Sequence, residues 1–332
     1  MGIVTTKTLY DTGVRNMTDI LVTLPMHDGT KEKYYAAAPD CKFEFRKWND
    51  YTEEAVAGKE IIMGNIPVGL IKYADSLKWI QLHSAGNDAY ARDPSLLKDI
   101  ILTNASGCYG LVIAEYMVGA VIGSQMNLFK YDRAMKRREW TDEGRIHSVM
   151  DSTTVVLGLG NVGSEFAWRM HALGSKVIGV KRTPGAKPDF VDELCTIDKL
   201  DEVIPQADII AVTLPATKDT YHLIGKAQFE LMKNTAILVN TGRGTVVAQK
   251  DLADALNSGK IGGACLDVYE KEPLPEDDPL WDAKNVFMTP HVSGGWHLYS
   301  TVEKINELAL RNLKTYLAGG KLENMVDLSR GY

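Results

Sequence analysis

One stretch decides the fold: Val155-Val156-Leu157-Gly158-Leu159-Gly160-Asn161-Val162-Gly163. In it, a run of β-forming residues meets the pattern Gly-x-Gly-x-x-Gly and passes directly into helix-forming sequence. The first glycine allows a tight turn after the strand, the second lets the backbone approach a phosphate, and the third lets the helix pack closely on the strand. The motif predicts a dinucleotide pyrophosphate at a helix N-terminus, with Gly158, Gly160, Asn161, Val162 and Gly163 as binding residues.

The flanking sequence makes this motif specific, since glycine triplets of this spacing also occur by chance. Residues 153–157 predict a strand, 162–173 an amphipathic helix that ends at Gly174, and 176–180 a second strand. The alternative is a structural βαβ unit whose glycines serve packing alone. The order of strand, turn, helix and strand favours nucleotide binding.

Length and composition predict a soluble, cytoplasmic enzyme with two domains. A chain of 332 residues with 45% hydrophobic residues is long enough to form two cores. The formal charge of -6 provides no basic field for a polyanion, so nucleic acid is not expected as a partner. The four cysteines are scattered, which indicates a reducing compartment and no metal site: Cys41, Cys108, Cys195 and Cys265.

Two segments bear on targeting and membranes. Residues 1–7 lack the charged and apolar regions of a signal peptide. The apolar stretch 110–126 approaches the length of a membrane span, but it contains Glu115 and Gln125 and leads into the basic segment 130–138. A buried helix with a solvated end, and no membrane association, is the prediction.

Strand-like and helix-like segments alternate along the chain, which predicts an α/β fold of two doubly wound, Rossmann-like domains. In the first third, strands are predicted at 19–24, 41–46, 60–64, 78–83 and 100–103, with helices at 31–38, 51–57 and 68–75. After a long helix from about 109 to 138, strands are predicted at 153–157, 176–180, 209–213, 236–240, 263–267 and 286–288. The last helix, 299–317, has no following strand and is expected to pack on the first unit.

Further motifs follow in a defined order. Three of them are Asn240-Thr241-Gly242-Arg243-Gly244, Asp267-Val268-Tyr269-Glu270-Lys271-Glu272-Pro273 and Pro290-His291-Val292-Ser293-Gly294-Gly295; Ser84-Ala85-Gly86-Asn87-Asp88 and Leu214-Pro215-Ala216-Thr217 also fit. Together with the glycine motif, they resemble the D-isomer-specific 2-hydroxyacid dehydrogenase family over nearly the whole chain. The resemblance implies a dinucleotide-binding domain, 104–290, inserted into a discontinuous substrate domain, 1–103 and 291–332. It also implies an active site between the domains and a homodimer formed through the helix from Tyr109 to about Met126.

Reduction of a 2-oxo acid requires a cation for the carboxylate and ketone, a proton donor for the developing alkoxide, and a hydride source. Arg243 follows a predicted strand at the end where doubly wound folds bind ligands, and its planar guanidinium suits a carboxylate. A surface arginine near a turn is the alternative. His291 follows the stiff dipeptide Thr289-Pro290 and is the predicted general acid in reduction and base in oxidation. The other histidines, His83 among them, lack comparable flanking residues.

Glu272 is predicted to hydrogen-bond the imidazole of His291, fix its tautomer and raise its pKa. Glu270 is the competing carboxylate, and a solvated acidic loop is the other alternative. Glu272 is preferred because, in the resembling family, the working carboxylate directly precedes a stretch like Pro273-Leu274-Pro275. By the same resemblance, Asp267 would face the nicotinamide carboxamide, and Leu214, Pro215 and Thr241 would contact the coenzyme.

The substrate site is predicted at Ser84-Ala85-Gly86-Asn87, whose backbone amides and small side chains suit a carboxylate. By resemblance, Ala85 and Gly86 contact the substrate; a plain turn is the alternative. Tyr109 and Trp296 are candidate pocket walls, although aromatic residues also serve simple packing. The substrate itself stays open among glyoxylate, hydroxypyruvate, pyruvate and branched or aromatic 2-oxo acids.

Coenzyme preference is predicted from the end of the strand at 176–180. An NAD enzyme usually places an Asp or Glu there to bind the ribose hydroxyls. Here the strand leads into Lys181, Arg182 and Thr183, which can pair with a 2′-phosphate. NADP is therefore the predicted coenzyme and NAD the alternative, while an ordinary cationic loop would explain the same residues.

Two other functions stay open. One is a phosphoglycerate dehydrogenase-like enzyme without a regulatory domain. The other is a nucleotide-sensing binding protein like the corepressors that share this fold. The carboxylate at Glu272 argues against formate oxidation, because family members that oxidise formate carry Gln at that position.

Overall fold

Residues 17–328 are described by the computed structural model, and they form two α/β units, each built on a parallel sheet. This architecture confirms the predicted fold class. The expectation of no signal peptide concerned residues 1–7, which lie outside the described residues.

The first unit contains a five-stranded sheet in the order β2-β1-β3-β4-β5. Its strands are β1 (Asp19–Val22), β2 (Lys42–Phe45), β3 (Ile61–Met63), β4 (Trp79–Gln81) and β5 (Ile101–Thr103). Its helices are α1 (Thr30–Ala37), α2 (Glu53–Val56) and α3 (Asp88–Ala91). A 3₁₀ helix, Val68–Tyr73, occupies the place of the helix predicted at 68–75. All five strands lie where the sequence predicted them.

The second unit contains a seven-stranded sheet in the order β12-β11-β10-β9-β6-β7-β8. Its strands are β6 (Thr153–Leu157), β7 (Lys176–Lys181), β8 (Glu193–Thr196), β9 (Ile209–Val212), β10 (Ile237–Asn240), β11 (Gly263–Leu266) and β12 (Val286–Met288). Its helices are α4 (Gly110–Gln125), α5 (Leu128–Lys136), α6 (Asn161–Ala172), α7 (Leu200–Val203), α8 (Lys226–Leu231) and α9 (Gln249–Asn257). The strand order reverses at β6, which pairs with both β7 and β9. Ligands of doubly wound folds bind at such a switch point.

One strand was missed in the sequence. β8 lies at the edge of the sheet and begins with the exposed Glu193, so it lacks the continuous apolar run of the buried central strands. The six other strands of this sheet were predicted, with ends that differ by one residue at most.

The single helix predicted from about 109 to 138 is wrong, because the structure has two helices, α4 and α5, bent by 68°. Asn127 between them has a left-handed backbone with φ 55°. Its side-chain amide donates to the carbonyl oxygens of Glu143 and Arg145, at 3.2 and 3.1 Å, which holds the break in place. In the described part of the chain, no single helix meets the length and hydropathy of a membrane span; the bent α4–α5 pair does so only when taken together.

The C-terminal helix α10 (Tyr299–Leu317) returns to the first unit, as predicted. Its residues Ile305 and Leu308 share a buried cluster with Ile20 of β1. The hydroxyl of Tyr34 donates to Asn306 Oδ1 at 3.1 Å. Within residues 17–328 the chain therefore passes between the units twice, at 104–109 and at 289–298. The finer domain boundaries, after 103 and after 290, stay predictions.

Candidate active site

The glycine motif forms a tight loop between β6 and α6. Gly158 has a left-handed backbone with φ 96°. A Cβ atom at Gly163 would lie 1.9 Å from the carbonyl oxygen of Gly158, so only glycine fits there. Gly160, by contrast, has open space where its side chain would be. The helix begins at Asn161 without a side-chain cap, so the N–H groups of its first turn can bind an anion.

Thr213 stabilises this loop and was not predicted. Its hydroxyl lies 2.7 Å from the carbonyl oxygen of Gly158 and 3.0 Å from that of Leu157. It follows β9, the strand beside β6 at the switch point. A hydroxyl at the end of a predicted central strand was the available signal.

The other predicted coenzyme residues gather at the same edge of the sheet. The side chain of Leu214 lies against Gly158, and a Cβ at Gly242 would lie 2.7 Å from the Leu214 carbonyl oxygen. Pro215 is next in this loop, and its carbonyl accepts a bond from Thr220. Thr241 is buried, with its hydroxyl 3.1 Å from the sulfur of Met117. The carboxyl ends of β6, β9 and β10 thus meet around one loop with the shape and open space of a phosphate cradle.

The basic segment also lies at this edge. Lys181 ends β7, the other neighbour of β6, and is partly exposed. Arg182 and Thr183 follow it at the surface. The structure therefore places all three predicted residues at or just after the end of β7, the strand whose Val180 carbonyl accepts the Gly158 N–H.

Arg243 lies in a turn that the local sequence builds after β10. Asn240 accepts a bond from the Gly242 N–H, and its amide donates to the Arg243 carbonyl, both at 3.1 Å. The guanidinium reaches across to the first unit, where Nε and Nη2 each lie 3.0 Å from Asp88 Oδ2. Asp88 was not predicted, because its proximity to Arg243 arises only when the two units meet.

His291 is paired with Glu272, as predicted from the family motif. Its Nδ1 lies 2.7 Å from Glu272 Oε2, while Glu272 Oε1 accepts the Tyr269 N–H at 3.0 Å. This bond raises the pKa of His291 above its ordinary value, against the opposing effect of partial burial. Partial burial alone would raise the pKa of Glu272, but its bonds to His291 and to the Tyr269 N–H lower that pKa overall. Because Nδ1 is engaged, Nε2 is the nitrogen available to a substrate.

Glu270 has different partners. One of its carboxylate oxygens accepts the Gln249 N–H at 2.8 Å and lies 2.9 Å from His222 Nε2. Of the two candidate carboxylates, Glu272 is therefore the one that contacts His291.

Asp267 follows β11 and is completely buried. Its carboxylate accepts bonds from the backbone N–H groups of Val292 and Ser293, at 2.8 and 3.0 Å, and from the hydroxyls of Thr289 and Ser293. Four bonds thus fix the segment that carries His291. The contact of Asp267 with nicotinamide stays a prediction, whereas its hold on the His291 segment is observed.

The predicted substrate loop lies directly against Arg243. A Cβ at Gly86 would be 2.0 Å from Arg243 Nη2, so the guanidinium occupies the space that a larger residue would take. The preceding carbonyl, that of Ala85, accepts a bond from the amide of Asn104 at 3.0 Å. The loop and Arg243 therefore line the same cleft, while the role of the loop in binding substrate stays a prediction.

Aromatic side chains form one wall of the site. Trp296 makes edge-to-face contacts with Trp48 and with the imidazole of His83, at ring-centre distances of 5.1 and 4.7 Å. The hydroxyl of Tyr109 donates to the His83 carbonyl at 2.5 Å. Tyr109 and Trp296 were predicted, but Trp48 and His83 were not. The signal for His83 was its position at the end of a predicted strand.

These groups surround a cleft of about 1000 Å³ between the two units. Its lining includes Arg243, His291, Gly86, Tyr109 and Trp296. Within residues 17–328, no group of three or more His, Cys, Asp or Glu side chains is arranged to hold a metal ion. The cleft therefore combines a cation, a titratable imidazole and an aromatic wall beside the predicted coenzyme loop.

Known proteins resemble this chain in both sequence and structure. The profile of the D-isomer-specific 2-hydroxyacid dehydrogenase NAD-binding domain matches residues 118–293. Glyoxylate/hydroxypyruvate reductase B of Yersinia pestis biovar Antiqua is 32% identical over 271 residues, which cover 80% of this chain and 82% of the relative.

Two solved structures extend the comparison to the whole fold. A D-isomer-specific 2-hydroxyacid dehydrogenase family protein of Aeromonas salmonicida has 31% identity and a TM-score of 0.84, covering 94% of this chain and 100% of that one. The NADPH-dependent glyoxylate/hydroxypyruvate reductase of Sinorhizobium meliloti, solved with NADP and sulfate, has 25% identity and a TM-score of 0.79, with 95% and 100% covered. The chain belongs to the D-isomer-specific 2-hydroxyacid dehydrogenase family of NAD(P)-dependent oxidoreductases.

Proposed function

We propose that the protein interconverts a 2-oxo acid and a D-2-hydroxy acid, with Arg243, Glu272 and His291 as its catalytic residues. In the direction of reduction, 2-oxo acid, NAD(P)H and a proton give 2-hydroxy acid and NAD(P)⁺. The observation that carries this proposal is the meeting of Arg243, the His291–Glu272 pair and the loop at Gly86 in one cleft. The names of the reductases to which the chain is similar agree with it.

Arg243 binds the substrate carboxylate and polarises the ketone. Its guanidinium lies against Gly86, so a carboxylate there can receive bonds both from the cation and from the backbone of the loop. Asp88 accepts from Nε and Nη2 and keeps the guanidinium plane oriented before a substrate binds. Replacement by lysine would keep the charge but lose this planar geometry.

His291 gives a proton to the substrate oxygen during reduction and removes it during oxidation. The hydrogen bond that His291 donates to the Glu272 carboxylate raises the pKa of the imidazole and keeps the ring protonated to a higher pH than a free histidine. When bound, the nicotinamide coenzyme supplies the hydride that carbon 2 receives. Asp267 fixes the backbone on both sides of Pro290 and His291, which limits the motion of the imidazole.

The coenzyme is held by the loop at Gly158–Gly163 and by the ends of β9 and β10, with NADP preferred over NAD. Lys181, Arg182 and Thr183 lie beside the loop and provide two cations and a hydroxyl for a 2′-phosphate. A carboxylate, the usual ligand of the NAD ribose, is absent from these three positions.

The test is a turnover assay with NADPH and NADH against glyoxylate, hydroxypyruvate, pyruvate, a branched 2-oxo acid and an aromatic one. His291→Ala is expected to lower kcat by about 10²- to 10⁴-fold, through loss of acid–base catalysis. Arg243→Ala is expected to raise KM and lower kcat together, because the same cation binds the carboxylate and acts on the ketone.

His171→Ala is the matched control, since His171 lies on α6, where it contacts Asp192, and does not line the cleft. Its turnover should equal that of the wild type. Unchanged turnover in His291→Ala would disprove the catalytic assignment. Coenzyme binding without turnover of any acid would favour the nucleotide-sensing alternative.

A further inference from the structure

A second, smaller pocket lies in the second unit, at the opposite edge of the sheet from the catalytic cleft. Its volume is about 160 Å³, and it is formed where β10, β11 and β12 begin, beside the junction of α4 and α5. The other ends of these three strands lead to Arg243, Asp267 and His291. Among the described residues, none lines both the pocket and the cleft. The pocket is therefore separate from the candidate active site.

Basic side chains dominate the lining of this pocket, which we call the basic pocket: Lys130 and Arg133 on α5, and Arg145 and His147 on the segment that follows. Among the described residues that line it, none is Asp or Glu. Within residues 17–328, the side chains of Lys130, Arg133 and Arg145 form no ion pair or hydrogen bond. The nearby Lys136 and Arg137, by contrast, each lie 2.6 Å from a carboxylate within four positions. Three positive charges thus meet in one concave site without a compensating carboxylate, in a chain of formal charge -6.

The segment that carries Arg145 and His147 is fixed against the junction of α4 and α5. The side-chain amide of Asn127 donates to the Arg145 carbonyl at 3.1 Å. The His147 N–H donates to the Gln125 carbonyl at 3.0 Å. These bonds hold the backbone of the second pair of basic residues beside α5, which carries the first pair. The meeting of the four basic residues is therefore built into the fold.

The rest of the lining also suits an anion. Phe129 and Phe287 stack at a ring-centre distance of 4.0 Å and provide an apolar wall, beside which electrostatic attraction is stronger than in open water. Helix α5 begins at the pocket without a side-chain cap, so the N–H groups of its first turn add positive potential. Side-chain amides and hydroxyls complete the lining: Ser124, Asn234, Thr235 and Asn285. One water molecule needs only about 15 Å³, so the pocket has room for an anion of several atoms.

We propose that the basic pocket binds a small oxyanion with at least two negative charges, a phosphate or a polycarboxylate. Each cation can bond to a different oxygen of such an ion, whereas a monovalent ion such as chloride offsets only one of the three charges. The proposal is independent of the proposed function, because it concerns residues outside the cleft.

The test is isothermal titration calorimetry with sodium phosphate and, separately, with sodium citrate, at an ionic strength held constant with sodium chloride. The wild type should bind one ion per chain with a dissociation constant of about 1 mM or lower. Arg133→Ala and Arg145→Ala should each weaken binding by about 5-fold, through loss of one largely exposed contact, and the double variant by about 25-fold. Tighter binding of phosphate than of citrate would assign the site to phosphates, and the reverse order would assign it to polycarboxylates.

Lys136→Ala is the matched control, because Lys136 lies on the same helix but is paired with Asp132. It should leave the dissociation constant unchanged. Arg243→Ala should also retain binding, which distinguishes the basic pocket from an anion site in the cleft. Melting temperatures in chloride should equal that of the wild type, since both substituted arginines are exposed.

Three outcomes would overturn the proposal. The first is the absence of binding to the wild type. The second is binding that is lost in Arg243→Ala and kept in the double variant, which would place the anion in the cleft. The third is a changed mass of the double variant in light scattering, which would identify the pocket as a contact between copies of the chain.

Discussion

At the scale of single residues, the chemistry depends on which carboxylate His291 contacts. Glu270 and Glu272 are two positions apart, yet only Glu272 lies within hydrogen-bond distance of the imidazole. The bond raises the pKa of His291, and reduction requires the protonated ring. The rate of reduction is therefore at its maximum below the pKa of His291 and falls as the pH rises through that pKa.

Glu272→Gln is expected to move this loss of reductase activity to lower pH. A neutral amide stabilises the imidazolium less than a carboxylate does, so the pKa of His291 falls towards its ordinary value of about 6.5. The measurement is kcat/KM for reduction from about pH 5 to pH 9. Glu270→Gln is the control and should leave the alkaline limb in place. If the alkaline limb of the Glu272→Gln profile stayed at the wild-type pH, the assignment of Glu272 as the group that raises the pKa of His291 would be wrong.

Gly86→Ala is expected to reduce activity without unfolding the protein. The added Cβ would meet Arg243 Nη2 at 2.0 Å, and the far end of that flexible side chain can move aside. Because the guanidinium would then be misplaced, kcat/KM should fall by roughly 100-fold while the melting temperature changes little. Gly69→Ala, at a position with open space around it, is the control for kinetics and stability. Wild-type kinetics in Gly86→Ala would show that Arg243 does not need its observed position.

At the scale of elements, coenzyme choice is assigned to the end of β7. Arg182→Ala is expected to weaken NADPH affinity by roughly 10- to 100-fold and NADH affinity little, because one charge-assisted bond to the 2′-phosphate is lost. Lys181→Asp should move the preference towards NADH. Dissociation constants for both coenzymes, measured by fluorescence titration, provide the test.

Lys176→Ala, at the opposite end of β7, is the control. It removes a cation that lies 3.6 Å from Glu193 and should leave the dissociation constants of both NADPH and NADH unchanged. Equal wild-type affinity for NADPH and NADH would refute the NADP preference. The dehydrogenase assignment would stand.

At the scale of the whole molecule, the features of the fold that depend on local sequence patterns were predicted correctly. Apolar runs separated by helices identified eleven of the twelve strands, and the spacing of three glycines identified the loop at Gly158. The break at Asn127 escaped prediction, because a left-handed asparagine inside an apolar pattern has no reliable sequence signal.

The residues of the candidate active site divide in the same way, between those in local sequence motifs and those that depend on contacts between distant segments. Arg243, His291 and Glu272 lie in recognisable motifs and were named in advance. Asp88 and Trp48 acquire their contacts only when distant segments meet, so their part in the cleft could not be predicted from spacing.

A homodimer stays a prediction at this scale, based on family resemblance and on the helix from Tyr109 to Met126. Exposed apolar side chains continue beyond it, including Leu128 and Trp140, the latter 96% exposed. Light scattering after size-exclusion chromatography should give twice the mass of the chain, and Leu128→Asp with Trp140→Asp should give the monomer. Leu96→Asp, in the first unit, should remain dimeric. A monomeric wild type would disprove the prediction.

The two crossings of the chain between the units have a consequence for motion. If one unit rotates against the other, the backbone rotations are expected within 104–109 and, because Asp267 holds Thr289, Val292 and Ser293, within residues 294–298 of the second crossing. His291, with φ 53°, lies in the held part of this second segment. Asp267 ties that segment to the coenzyme unit, while the segment's far end continues into α10 on the substrate unit. Closure would therefore bring the aromatic wall at Trp296 towards His291, the proposed general acid, which stays with the coenzyme unit. One movement would then both enclose the substrate and align it for proton transfer.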